Sequence, residues 1–483
     1  MWFAKALKIH FVGIGGIGMS GIAEVLLGLG WPVSGSDLKA SPVTERLVKL
    51  GARVSYGHAA GNVDDAEVVV ISSAVSPANP EVVAARARHV PVIPRAEMLA
   101  ELMRLKFGIA VAGMHGKTTT TSMIATALAA AQLDPTVVVG GRLDTLGSNA
   151  RLGASQYLVA EADESDRSFL KLSPVIAVIT NLDREHLDCY SGMEDIQSAF
   201  LEFANRVPFY GLVLLGADQP VARALLPRMQ RQVLSYGLHA ESDLLLHDLS
   251  LERELTRFRL RLSPAAARIL GRGPAASLDL GEFQLRVPGA HNAHNATAAV
   301  AAGLFLGRDL EVLRSALAHF AGVDRRFQIK GEEAGVTVID DYGHHPAEIA
   351  ATLAAARQRG YRRRLMIFQP HRYTRTYHLL DDFAPALRDL DRAFILDIYP
   401  AGEEPIPGID ASTLVERLRA AGIAAEYVPS AAEAITRMAE LAQPGDAILT
   451  QGAGNVSGLG EQLLEALRQR AGVRQPASLG IAG

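Results

Sequence analysis

Lys117 and Thr118 stand in the middle of the segment GMHGKTTTT, residues 113 to 121, and their chemistry is that of phosphate. An ammonium and a hydroxyl at a helix start, preceded by the backbone donors of Gly113, Met114, His115 and Gly116 and followed by Thr119, suit a triphosphate and its Mg²⁺. Only two residues separate Gly113 from Gly116, whereas the common phosphate loop has four before its final Gly-Lys. ATP is the nucleotide this loop predicts.

A second glycine loop lies about a hundred residues earlier. In KIHFVGIGGIGMSG, residues 8 to 21, Gly13, Gly15 and Gly18 have the spacing of a dinucleotide fold. The turn Gly15, Gly16, Ile17, Gly18 would let backbone N–H groups approach a diphosphate at the start of the following helix. Asp37, about 20 residues on, stands where an acid meets a ribose hydroxyl, and Ser72 and Ser73 in ISSAVSP follow another strand, where ligands of open α/β sheets bind. This pattern alone fits NAD as well as any other diphosphate nucleotide. A dehydrogenase, however, has no use for a triphosphate loop.

Further acids and histidines follow apolar runs. YLVAEADESDRSF places Glu161 after one strand and VITNLDREHLD places His186 after another, so both are expected at the sheet edge that carries Lys117. Such a cluster suits a metal bridging a phosphate and an acyl group. Taken singly, acids at strand ends more often cap helices, and the His and Asn residues of PGAHNAHNATAA read first as caps too.

The elements that must hold these residues are legible as alternation. Short β-branched runs, EVVVIS (67 to 72), FGIAVAG (107 to 113), VIAVITN (175 to 181), VTVIDD (336 to 341) and RLMIFQP (364 to 370), are separated by Ala/Leu-rich helical stretches, the pattern of parallel sheets covered by helices. Residues 232 to 288 alternate instead like a β-meander set into an α/β domain. At 483 residues the chain is too long for one core, so three α/β domains are expected, with boundaries near residues 103 and 322.

Composition narrows the function. An apolar share of 49% with 21% charged residues is that of a globular protein, and a net charge of −4 over this length gives no basic field for nucleic acid or acidic lipid. The single cysteine, Cys189, excludes an internal disulfide and a cysteine zinc site, in keeping with the cytoplasm. No secretion signal opens the chain, and its apolar stretch ATAAVAAGLFLG has 12 residues against the roughly 20 that span a bilayer, so no membrane insertion is expected.

Taken together the motifs resemble the Mur ligases. GIGGIGMSGIAE, GMHGKTTTT, EADESD, TNLDREHLD, PGAHNAHNATAA, DRRFQ, DDYGHHPAE, QPHRYTRT and GAGNV occur in family order along nearly the whole chain. The resemblance implies a Rossmann-like UDP-substrate domain (1–102), a central ATP-binding domain with a mainly parallel sheet (103–322) and a Rossmann-like C-terminal domain (323–483). It also implies an ATP-dependent ligase of peptidoglycan precursor synthesis that joins L-alanine to the lactyl carboxylate of UDP-N-acetylmuramate through an acyl phosphate. The cofactor would be Mg²⁺, with Mn²⁺ as the alternative ion, and the chain a monomer or homodimer.

Carried over by motif, Gly15, Gly16, Ile17, Gly18, Asp37, Ser72 and Ser73 would hold the UDP substrate, and Lys117 the β- and γ-phosphates. Thr118, Glu161 and His186 would organise the metal, Asn292 and Asn295 would face adenine, and Arg326 and Asp341 would reach the γ-phosphate and ribose. Tyr342, His344, Arg372 and Arg375 would hold alanine, arginine suiting its carboxylate because the planar fork binds both oxygens. Two positions depart from the family pattern: Met114 stands where Thr is common and Glu185 where Asp is usual. Several Mur ligases carry a carbamylated lysine shortly after the metal-binding histidine, but no lysine occurs here between Lys171 and Lys330. Three rivals remain to be separated: a murein tripeptide recycling ligase on the same acceptor, a nicotinamide dehydrogenase, and a non-catalytic UDP-sugar binder.

Overall fold

A computed structural model describes residues 6–72, 74–143, 148–187, 189–273 and 278–473. Ser73 therefore lies outside the described residues. The polypeptide divides into two compact units, the first made of residues 1–250, 257–286 and 292–323, the second of 251–256, 287–291 and 324–483.

The first unit contains two sheets. The smaller has five strands in the order Arg53–Tyr56, Val33–Asp37, Ile9–Val12, Val68–Ile71, Val92–Pro94, and every neighbouring pair is parallel. Ile9–Val12 is buried along its whole length, as a central parallel strand covered on both faces must be. The larger sheet has ten strands, in the order Leu278–Leu285, Thr256–Leu262, Leu244–Leu251, Val233–Gly237, Leu212–Gly216, Ile176–Ile179, Phe107–Ala112, Tyr157–Glu161, Thr136–Leu143, Ser148–Arg151. Its centre is parallel, with an antiparallel pair at Thr136–Leu143 and Ser148–Arg151. The alternating region after residue 232 extends this sheet: Val233–Gly237 and Leu244–Leu251 continue the parallel run, and two further strands follow to the edge.

One apolar cluster serves both sheets. It runs from Ile9, Phe11 and Ile22 through Met98, Leu99 and Met103 to Phe169, Phe200 and Phe203. The helix Arg95–Arg104 carries the middle of this list and packs against the short 3₁₀ turn Ser168–Lys171. Ion pairs flank it, Arg95 with Asp163 at 3.1 Å and Glu97 with Lys171 at 3.5 Å.

The second unit has a six-stranded sheet, Gln328–Glu333, Val336–Asp341, Ala447–Gln451, Arg364–Phe368, Arg392–Ile395, Ala425–Tyr427, parallel except for its first pair. One cluster joins strand residues to Ile349, Leu353, Leu414 and Leu418; another joins them to Ile435, Met438, Leu463 and Leu467. These are the helical coverings of the doubly wound arrangement that the alternation predicts.

Beneath the first glycine loop lies a buried charged knot. Glu81 is fully buried; its carboxylate accepts from the Ser36 hydroxyl at 2.6 Å and from the Asn62 amide, with His58 at 3.3 Å and His10 at 3.8 Å. Burial alone would raise its pKa, but His10, Ser36 and Asn62 together bring it down to about 2. Because the folded value lies below the unfolded one, this group stabilises the fold at neutral pH, and the stabilisation is lost as pH falls from about 4.5 toward 2. Glu81→Gln should therefore cost about 3 kcal/mol at pH 7. Urea unfolding at stepped pH values checks this: the gap between wild type and variant should narrow progressively as pH falls from about 4.5 to about 2, and a gap independent of pH would refute the ionised state.

Candidate active site

Three adjacent parallel strands, Tyr157–Glu161, Phe107–Ala112 and Ile176–Ile179, end at the same edge of the large sheet, and the loops leaving them form the site. After the middle strand the chain turns through Gly113, at φ +129°, and Gly116, at φ +81°, before the helix Lys117–Ala130. Glycine is required at both. A Cβ on Gly113 would lie 2.1 Å from the Thr180 hydroxyl, and both φ values disfavour a side chain.

The loop is braced from the neighbouring strand end. Asn181 accepts from the His115 N–H at 2.9 Å and donates to the His115 carbonyl at 2.9 Å, while Thr180 donates to the same carbonyl at 2.6 Å. The His115 ring lies 3.2 Å from Asp183. Met114 is buried, and its carbonyl accepts from Lys117 at 3.2 Å.

Lys117 donates to the Gly113 carbonyl at 2.8 Å and to the Glu164 carboxylate at 2.6 Å. Burial works against its charge, but Glu164, with Asp163 and Glu185, more than offsets it, so the ammonium stays protonated above the usual lysine range. His186, at φ +55°, brings its Nε2 within 3.4 Å of the same Glu164 oxygen. The other oxygen of Glu164 is buried without a hydrogen-bond partner among the described residues, and Tyr190 donates to the Glu164 carbonyl at 2.6 Å. Glu164 is the residue that sequence reasoning missed. It lies inside EADESD, but nothing in that run of acids marks which one turns toward the lysine.

The other residues named from the sequence lie on the following elements. Glu161 ends its strand in register with Val111, and Thr118 and Thr119 are largely buried in the first turn of the loop helix. Asn295 packs against that turn: its Oδ1 accepts from Thr120 at 3.0 Å, its amide donates to Asn292 at 3.2 Å, and a Cβ on Gly116 would lie 2.9 Å from it. Glu185 is buried, 4.0 Å from both His115 and His186.

In the first glycine loop, Gly16 precedes the helix Ile17–Gly28. Asp37 accepts from the Gly15 N–H at 2.8 Å, and a Cβ on Gly15 would lie 2.8 Å from that carboxylate. Ser72 follows its strand.

The second unit gathers the remaining residues. Asp341 accepts from the Gly343 and Phe327 N–H groups, each at 2.8 Å, and from Gln451 at 2.7 Å, so it ties its own loop together. Arg326 lies over the Tyr342 ring at 5.1 Å and pairs with Glu348 at 3.3 Å. His344 contacts the Tyr342 ring and lies 5.4 Å from His371, which stacks on Tyr399 at 5.5 Å. Arg375 donates to the His371 carbonyl at 3.1 Å, with the ring nitrogen at the same distance, and Arg372 lies 3.7 Å from Glu403. Burial first, then His344 and the two arginines, push the His371 pKa down to about 3, so it remains a neutral partner for Arg375.

Three family models cover the chain in sequence: the Mur ligase family catalytic domain at residues 8–107, the Mur ligase middle domain at 111–303 and the Mur ligase glutamate ligase domain at 325–454. The chain belongs to the Mur ligase family. Among curated relatives it is 59% identical to the UDP-N-acetylmuramate--L-alanine ligase of Koribacter versatilis, over 96% of this chain and 98% of that one. Among solved structures it is similar to the UDP-N-acetylmuramate-alanine ligase MurC of Thermotoga maritima, with a TM-score of 0.78, 30% identity and coverage of 96% and 100%. The murein peptide ligase of Psychrobacter arcticus shares the fold, with a TM-score of 0.68 and 24% identity over 96% of this chain and 99% of that one.

The Lys117–Glu164 pair sets a stability test. Glu164→Ala strands a largely buried ammonium and should cost on the order of 3 kcal/mol. Adding Lys117→Met should restore part of that loss in urea unfolding. Additive losses would show that the two groups do not depend on each other.

Proposed function

We propose that the chain joins L-alanine to the lactyl carboxylate of UDP-N-acetylmuramate, converting ATP to ADP and phosphate. The observation that carries this reading is the near full-length likeness to the Koribacter versatilis ligase, with Lys117 held at a loop shaped for phosphate. Residues 1–102 would take the UDP substrate, 103–322 ATP, and 323–483 would complete the ligase.

Lys117 would exchange its carbonyl contacts for the β- and γ-phosphates, and Asn292 and Asn295, lying behind the loop, would face adenine. The lactyl carboxylate oxygen attacks the γ-phosphorus, the bond to ADP breaks, and an acyl phosphate forms, with Lys117 neutralising charge on the transferring oxygens. Arg372 and Arg375 bind the alanine carboxylate, and Tyr342 and His344 line its place. Its neutral amine attacks the acyl carbon, and collapse of the tetrahedral intermediate breaks the carbon–oxygen bond and expels phosphate. Arg326 and Asp341 are assigned to the nucleotide, Asp341 through its loop.

The donor set fits a hard divalent cation: a hydroxyl at Thr118, carboxylates at Glu161 and Glu164, the latter with a buried oxygen lacking a hydrogen-bond partner among the described residues, and His186 beside it. Mg²⁺ held there, or Mn²⁺ in its place, would supply further positive charge to the phosphates. Of the acids after His186, Asp195 is paired with Arg167, and Glu202 with Arg206 at 2.7 Å.

Phosphate release from ATP tests the reading. It should require UDP-N-acetylmuramate and L-alanine together, and a preference for the tripeptide over alanine would favour the recycling ligase. Lys117→Ala should lower turnover on the order of 10² to 10³-fold while UDP-N-acetylmuramate still binds; near-normal turnover would remove Lys117 from the mechanism. Arg372→Lys or Arg375→Lys should raise the KM for alanine more than that for ATP, because a point charge cannot reproduce a planar fork. Equal effects on all substrates would indicate a folding role.

A further inference from the structure

Arg95 has no place in the motifs, yet its side chain lies against the first glycine loop. A Cβ built on Gly18 would meet the Arg95 Nη1 at 2.4 Å and its Cδ and Cζ at 3.0 Å each. The guanidinium is thus laid against the first turn of the helix Ile17–Gly28, where backbone amides have no intrahelical acceptor and the dipole is positive. A cation is an unfavourable guest there unless something else compensates it. The compensation comes from across the shared core: Arg95 donates to Asp163 Oδ2 at 3.1 Å.

Asp163 is fixed by its own turn. Its Oδ1 accepts from the Ser165 N–H at 3.1 Å and hydroxyl at 2.7 Å. Its two carboxylate oxygens are thus divided between Ser165 on its own turn and Arg95 on the helix Arg95–Arg104. The next residue is Glu164, the partner of Lys117.

We propose that Arg95 is the counter-cation for the diphosphate of the uridine nucleotide and that Asp163 holds its place until that diphosphate arrives. This rests on the reading that the first glycine loop takes the UDP substrate. A guanidinium beside amide donors at a helix start makes a bidentate diphosphate site, the fork gripping oxygens that the amides also face. The two anions, Asp163 and diphosphate, compete for one cation. The exchange also links the loops, because the carboxylate that gives up Arg95 is adjacent in sequence to the one that holds Lys117.

Competition makes a prediction that a structural ion pair does not. Removing Arg95 should weaken nucleotide binding, whereas neutralising Asp163 should preserve or strengthen it. Calorimetric titration of the full chain with UDP and with UMP, using wild type, Arg95→Gln, Arg95→Lys and Asp163→Asn, tests this. For UDP, Arg95→Gln should raise Kd about 10- to 100-fold, the loss of a charge-assisted contact. Arg95→Lys should recover only part of the loss, and UMP, lacking the second phosphate, should be much less affected. Asp163→Asn should bind UDP at least as tightly as wild type, although both neutral variants lose the same ion pair and should melt at similarly lowered temperatures. Equal weakening by Arg95→Gln and Asp163→Asn, or equal loss of UMP and UDP, would overturn the proposal. Failure of the wild type to bind UDP would instead overturn the underlying assignment of the loop, and the proposal with it.

Discussion

A lysine ammonium set largely out of water against a buried carboxylate is the constraint around which this edge of the large sheet is built. The phosphate role proposed for Lys117 needs its charge, and Glu164 is the carboxylate that compensates that charge where burial works against it. Satisfying that pair fixes the neighbours. The loop must turn tightly enough at Gly113 and Gly116 to aim the lysine back over its own carbonyls, and the strand ending at Glu161 must be followed by a turn that sends Glu164 inward. The third strand must deliver Thr180 and Asn181 to brace the loop and His186 to meet the same carboxylate. Parallel strands bring all three carboxyl ends to one edge, so Lys117 and Glu164, 47 positions apart in sequence, meet without a long loop.

The same unit holds a second glycine loop with different electrostatics. There Asp37 accepts from the Gly15 N–H and the Arg95 side chain lies against Gly18. One continuous core joins the two sheets through the helix Arg95–Arg104, so the loops sit on a common scaffold. The residues assigned to the amino acid belong to the other unit, where a neutral His371, sandwiched between His344 and Tyr399, orients Arg375.

Much of this was legible in the chain because buried parallel strands leave a strong signal. The runs at 107 to 113, 175 to 181, 336 to 341 and 364 to 370 all contain strands, and Gly13, Gly113 and Gly116 take the positive φ that favours glycine. The choice among neighbouring acids was not legible. In EADESD, which carboxylate reaches the lysine depends on the turn after the strand, and no local propensity records it. The fate of Asp341 was hidden in the same way, since its two oxygens are engaged by Phe327, Gly343 and Gln451, one of them 110 residues away. Arg95 carries no motif because its meaning comes from Gly18 and Asp163, which only the packing of one helix brings together.

In the proposed reaction the carboxylate of the sugar nucleotide would be activated by phosphoryl transfer at the Lys117 loop before nitrogen attacks. The direct measurement uses UDP-N-acetylmuramate labelled with ¹⁸O in its lactyl carboxylate, turned over with ATP and L-alanine, with mass analysis of the phosphate released. Attack of that carboxylate on the γ-phosphorus, followed by expulsion of phosphate from the acyl carbon, carries one labelled oxygen into inorganic phosphate. Unlabelled phosphate accompanying amide formation, or label recovered in AMP, would rule out that order of steps.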